Sequence, residues 1–118
     1  MSRLKEILQR KEERKVKLKA SLDSIISQLI ELGVLKIILF GSLASGDIDT
    51  YSDLDLLVIM PSIRTSKEWI NLIYKNLERK VALDLIVYSQ EEFKKELPQS
   101  CFLQNILKEG KVIYEKTT

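Results

Sequence analysis

The run Lys36-Ile37-Ile38-Leu39-Phe40-Gly41-Ser42, followed after ten residues by Asp53-Leu54-Asp55-Leu56-Leu57-Val58-Ile59-Met60-Pro61, decides how this chain folds. Each half is a short series of β-branched, aliphatic and aromatic residues, the composition of a strand. The predicted strands are Lys36 to Phe40 and Leu54 to Met60. A glycine directly after a strand lets the backbone turn tightly and come close to a ligand. Ser42 adds a hydroxyl and a backbone N–H, and Leu43-Ala44 is predicted to begin a short helix whose N-terminus favours a phosphate. Gly46 then permits the chain to turn back. Side chains alternate across a strand, so Asp53 and Asp55 share a face, about 7 Å apart along the chain.

A third strand is predicted over Val81 to Tyr88, with Asp84 in the middle of an otherwise apolar run. An ionised carboxylate in such surroundings is costly unless a cation or hydrogen-bond donors meet it. If the second and third strands are neighbours, Asp53, Asp55 and Asp84 converge on one face. Three such charges call for a divalent cation. The chain has no histidine and one cysteine, so ligation by oxygen alone points to Mg²⁺ or Mn²⁺ rather than zinc. The plainer alternative makes Ser52-Asp53 a turn or strand-entry cap with Asp55 on an exposed face. On that alternative Asp84 is a solvated residue of an edge strand.

Around this centre the remaining elements follow from periodicity and caps. Leu4, Leu8, Leu18, Leu22, Ile25, Leu29 and Leu32 keep one heptad register, interrupted at Lys11 and Lys15. One helix from about Ser2 to Glu31 is expected, ended by Gly33 as a left-handed cap. Its second half is expected in the core, and its first half is placed to meet another chain. Thr65-Ser66-Lys67-Glu68 reads as a capping box opening a helix with Trp69, Ile70, Ile73 and Leu77, and Ser89-Gln90-Glu91-Glu92 as another opening a short helix before Pro98. A last helix over Ser100 to Glu109 precedes Gly110 and an edge strand, Lys111 to Tyr114. The expected architecture is one α/β (α+β) domain, a small mixed sheet with helices packed against it and a long N-terminal helix.

The 118 residues, 45% hydrophobic and 31% charged, suit one compact domain and exclude a disordered tail. Catalysis by an imidazole base is excluded by the absence of histidine, and Cys101 alone cannot form an intrachain disulfide. Neither a membrane span nor a signal-peptide hydrophobic region is visible, so a soluble, cytoplasmic protein is expected. Net charge is +2, but residues 1 to 20 carry eight basic against three acidic side chains. Such a helix could touch nucleic acid, an acidic partner or an anionic surface, whereas a solvated charged face is the simpler account. No aromatics interleave with these lysines, so the nucleic-acid signal is weak. Trp69, Cys101 and Tyr114 read as packing residues.

Phe40-Gly41-Ser42, ten residues, then Asp53-Leu54-Asp55-Leu56-Leu57-Val58 resembles the signature of the DNA polymerase β-like nucleotidyltransferase superfamily. The resemblance runs from about Gly33 to Tyr114, and the short length is similar to its minimal nucleotidyltransferase branch. It implies a nucleotidyltransferase domain over residues 33–118, with residues 1–32 a helix of the same domain. By the same resemblance, Gly41, Ser42, Ser52, Asp53 and Asp55 would bind nucleotide, and Asp53, Asp55 and Asp84 would be the catalytic carboxylates holding two Mg²⁺ ions. The implied reaction moves a nucleoside monophosphate, AMP from ATP, to a hydroxyl. Family members often carry arginine where this chain has Ser45, and some also where it has Leu43, and Arg64 or Lys67 are the candidate substitutes. Larger relatives add an acceptor-binding domain for which this length leaves no room, so the acceptor is expected in an open cleft or on a second protein. In the minimal branch that partner is a HEPN-family toxin, neutralised by its transferase antitoxin, in some cases through AMP added to a tyrosine. Assembly through the N-terminal helix, as a homo- or hetero-oligomer, is compatible with this. The alternatives are a catalytically weak module that neutralises such a partner by binding, and a small-molecule (antibiotic) nucleotidyltransferase.

Overall fold

The computed structural model of the chain describes residues 3–41, 54–77 and 83–116. Helix α1 (Arg3–Leu32) leads into β1 (Lys36–Phe40), then β2 (Leu54–Met60), α2 (Ser66–Asn76), β3 (Leu83–Ser89), α3 (Gln90–Glu96), a 3-10 turn (Leu97–Gln99), α4 (Cys101–Glu109) and β4 (Lys111–Glu115). The four strands form one mixed sheet in the order β3-β2-β1-β4. β1 runs antiparallel to both β2 and β4, and β2 runs parallel to β3 through the α2 crossover. A register shift between Ile37 and Ile38 puts a bulge into the β1–β4 pairing.

Both faces of the sheet are covered, which is why β2 reads as an unbroken apolar run rather than an alternating one. On one face, Ile37, Leu39, Leu56, Val58, Met60 and Val87 pack against Ile25 and Leu29 of α1 and Trp69 and Ile73 of α2. On the other, Ile38, Leu57 and Ile59 meet Phe93 of α3 and Leu103 and Ile106 of α4. The second half of α1 thus belongs to the core, as its leucine spacing predicts. The side chains at Leu4, Leu8, Lys11, Lys15 and Leu18 lie outside those described, and with them the expected partner-facing half.

The predicted punctuation appears as local geometry. Gly33 has φ 97°, its N–H donates to the Ile30 carbonyl at 3.0 Å, and the Val34 N–H donates to the Leu29 carbonyl at 3.1 Å. These paired bonds are a Schellman stop, satisfying carbonyls that the helix end would otherwise orphan. Thr65 Oγ1 accepts from the Glu68 N–H at 3.1 Å, while the Thr65 N–H donates to Glu68 Oε1 at 3.3 Å, closing the capping box on α2. Ser89 ends β3 and caps α3 at once: its Oγ accepts from the Glu92 N–H at 3.2 Å, and its N–H donates to Ser66 Oγ at 2.8 Å. Among the described residues no helix is long and apolar enough to cross a membrane.

Candidate active site

Strand parity places the predicted acids. Leu57 and Ile59 face α3 and α4, so Asp55, two residues earlier on β2, projects to the same face. On β3 the inward residues of that face are Ile86 and Tyr88, which sets Asp84 there too. The ladders then align a row across three strands. Phe40 of β1 stands opposite Asp55 of β2, and Asp55 stands opposite Asp84 of β3. Neighbouring strands lie about 4.8 Å apart, so the two carboxylates rise side by side.

Gly41 completes the row from the end of β1. Its φ is 82°, a left-handed conformation that a side chain disfavours. A Cβ there would run into Oδ2 of Asp55 and sit 3.1 Å from its Cγ. The backbone at this turn is therefore in direct contact with the Asp55 carboxylate, and only glycine allows it. Asp55 is half-buried, and Asp84 is exposed.

Two expectations need correction. Asp84, set in an apolar run, is expected to be costly unless a cation or donors meet it. Among the described residues β3 is an edge strand and Asp84 is exposed. Its significance rests on its register with Asp55, not on desolvation. Arg64 and Lys67 were the candidate phosphate-binding cations. Arg64 instead lies with its guanidinium 5.6 Å from the centre of the Trp69 ring, and Lys67 is in the first turn of α2. Both follow the Met60 end of β2, five residues and roughly 16 Å of strand beyond Asp55. Ser42, Leu43-Ala44, Ser45, Gly46, Ser52, Asp53 and Val81-Ala82 lie outside the described residues.

Next to Gly41 is a pocket of about 280 Å³ lined by Phe40, Gly41, Phe102, Asn105, Ile106, Glu109 and Gly110. Phe40 and Phe102 meet edge to face with ring centroids 6.2 Å apart. Gly110 lets α4 close down on β1, since a Cβ there would meet the Ile106 carbonyl at 2.5 Å and Ile38 Cγ2 at 2.7 Å. Sequence reading passed over Phe102, Asn105 and Glu109. Their spacing of three and four residues marks one helix face, but nothing in the sequence says what that face meets.

Residues 23–118 match the family model described as polymerase beta, nucleotidyltransferase. This chain belongs to that family. An 82-residue stretch, 69% of the chain and 79% of the relative, is 40% identical to a Methanocaldococcus jannaschii protein named "Putative protein adenylyltransferase". The fold is similar to the crystal structure of "a putative nucleotidyltransferase from Sulfolobus solfataricus", with a TM-score of 0.64 at 16% identity, covering 90% of this chain and 87% of that one. The nucleotidyltransferase family transfers nucleoside monophosphates and generally draws on a nucleoside triphosphate and divalent metal. The donor set here fits such a metal. Asp55 and Asp84 offer only carboxylate oxygens, the hard ligands that Mg²⁺ and Mn²⁺ take. Among the described residues no three His, Cys, Asp or Glu side chains gather as a metal cage. Asp53 is not among the residues described.

Proposed function

We propose that this nucleotidyltransferase moves AMP from ATP to a hydroxyl on a partner protein. The observation that carries the reading is the alignment of Asp55 with Asp84 beside the glycine turn at Gly41. The printed name of the M. jannaschii relative supports a protein acceptor and an adenylyl donor.

Each residue then has a physical task. Gly41, lacking a side chain, lets the turn at the end of β1 close onto the Asp55 carboxylate, and Ser42 and Ser52 would supply donors to the nucleotide phosphates. Asp53, Asp55 and Asp84 would hold the divalent cations. When bound, Mg²⁺ or Mn²⁺ neutralises charge on the triphosphate and makes the acceptor hydroxyl more acidic. Asp84, at the solvated edge of the sheet, is reachable by an incoming acceptor and can accept its proton. The rest of the catalysis is alignment of acceptor oxygen, α-phosphorus and departing pyrophosphate. The absence of histidine is no obstacle, because a carboxylate suffices as base.

A HEPN-family toxin is the partner that resemblance to the minimal nucleotidyltransferases suggests, with the N-terminal helix as the contact. The test is an intact-mass spectrum of the co-purified complex before and after ATP and Mg²⁺. A partner that gains the mass of one adenylyl group supports transfer. A stable complex with no mass gain, and none in the Asp55→Asn variant either, replaces the enzyme by a binding module.

A further inference from the structure

A pocket of about 440 Å³ opens at the end of the sheet remote from Gly41, where β1 begins and β2 and β4 finish. Strand parity puts it on the same face as the acids. Lys36 shares one side of β1 with Ile38 and Phe40, and Ile59 shares one side of β2 with Leu57 and Asp55. The Lys36–Ile59 pair therefore lies four residues, about 13 Å, from the Phe40–Asp55 pair.

Four charged residues line the pocket, and three are lysines brought from three places: Lys36 from β1, Lys94 from α3 and Lys116 from just after β4. The fourth, Glu115, makes a loose pair with Lys36 at 3.9 Å, its side chain 61% exposed. Among the described residues the ammonium groups of Lys94 and Lys116 make no ion pair. Leu35, Ile59 and Phe93 supply an apolar lining beneath the lysines. The backbone here is already occupied: the Leu35 N–H donates to the Ile59 carbonyl and the Lys116 N–H to the Leu35 carbonyl, each at 2.8 Å. The first donors of α3 are taken as well, the Glu91 N–H by Ser62 and the Glu92 N–H by Ser89.

We propose that this pocket docks an acidic segment of the acceptor protein, with an apolar side chain of that segment against Leu35 and its carboxylates beside Lys94 and Lys116. The proposal rests on the reading of the acceptor as a protein. A compact oxyanion is best held by converging backbone N–H groups or an arginine fork, and the described lining offers neither. Lysines are separate, hydrated point charges, which suit carboxylates spaced along a chain. The apolar lining adds a contact that a bare anion leaves unused. A segment held here leaves the row of Asp55 and Asp84 about 13 Å away for a hydroxyl of the same partner, a span that one small domain covers.

The experiment is fluorescence anisotropy of a labelled pentapeptide, one leucine flanked on each side by two glutamates, titrated with the full chain. The wild type should bind it, more weakly as salt is added. Serine in place of the leucine should weaken binding about tenfold, and glutamine in place of the glutamates should abolish it. The double variant Lys94→Gln with Lys116→Gln, at two exposed positions that the fold tolerates, should also weaken the peptide about tenfold. Lys108→Gln with Lys111→Gln removes the same charge from exposed positions outside the pocket and should alter binding by less than about twofold. Equal losses in the two double variants would reduce the attraction to overall charge and overturn the inference. Displacement of the peptide by inorganic phosphate or by single-stranded DNA at matching concentration would give the pocket to another ligand and overturn it too, as would a wild type that does not bind the peptide. None of these results touches the transfer reading, which is decided by the mass gain of the partner.

Discussion

The two ends of the β2–β3 pair use polar residues in opposite ways. At the Met60–Ser89 end they are spent on one another. Ser66 takes the Ser89 N–H, Ser62 Oγ takes the Glu91 N–H at 2.9 Å, Trp69 Nε1 donates to the Pro61 carbonyl at 2.7 Å, and Thr65 and Glu68 close their reciprocal pair. A pocket of about 320 Å³ opens there, and Ser62, Thr65, Glu68 and Ser89, which cap the helices, line it together with Ile63, Arg64, Glu91, Glu92 and Lys95. At the other end the ladder sets Asp55 and Asp84 in register on one face of the sheet. Mutual satisfaction serves stability. Carboxylates placed in register offer the oxygen ligands that the proposed transfer would use for a divalent cation.

That contrast can be broken by substitution at either end. The largest effect is expected from Asp55→Asn or Asp84→Asn, each of which should slow adenylyl transfer about 10²–10³-fold or more, measured by incorporation of labelled AMP. A variant at either position with undiminished transfer would remove that acid from the site. Gly41→Ala should come next. It forces a Cβ into the left-handed region and onto the Asp55 carboxylate, costing about 1–2 kcal/mol in urea unfolding and disturbing transfer as well. Ser89→Ala at the opposite end should cost about 1 kcal/mol through the lost α3 cap and leave the transfer rate alone. Smallest is Arg64→Ala, which should change stability by about 0.5 kcal/mol, the value of an exposed cation–π contact, and leave ATP affinity unaltered. A marked loss of ATP affinity in that variant would bring Arg64 back to the phosphates.

Local chemistry explains which parts were legible in the sequence. Gly33 and Thr65 act through hydrogen bonds to residues within a few positions, so their signals are complete in the sequence. Ser89, by contrast, caps α3 through the Glu92 N–H but gives its own N–H to Ser66, so the reciprocal half of the box expected there does not form. The strands were legible as apolar runs because both sheet faces are covered. The order of strands was not, since β2 and β3 pair across the α2 crossover and nothing local states the register. The meeting of Asp55 with Asp84 was accordingly a conditional expectation, whereas the exposure of Asp84 and the remoteness of Arg64 and Lys67 emerged only from the fold. The stripe of Phe102, Asn105 and Glu109 escaped notice for the same reason: a helix face acquires meaning from the strand it lands on.

The antiparallel turn-back of β1 into β2 has a consequence for how such a chain can diversify. Because Phe40 is laddered to Asp55, the glycine corner and the acid are anchored by backbone bonds of the hairpin itself. Lengthening the chain between Ser42 and Ser52 would add only a slowly growing closure entropy and leave both anchors in register. Chain length between the corner and the acid can therefore vary while the spacing of Gly41 from Asp55 stays fixed.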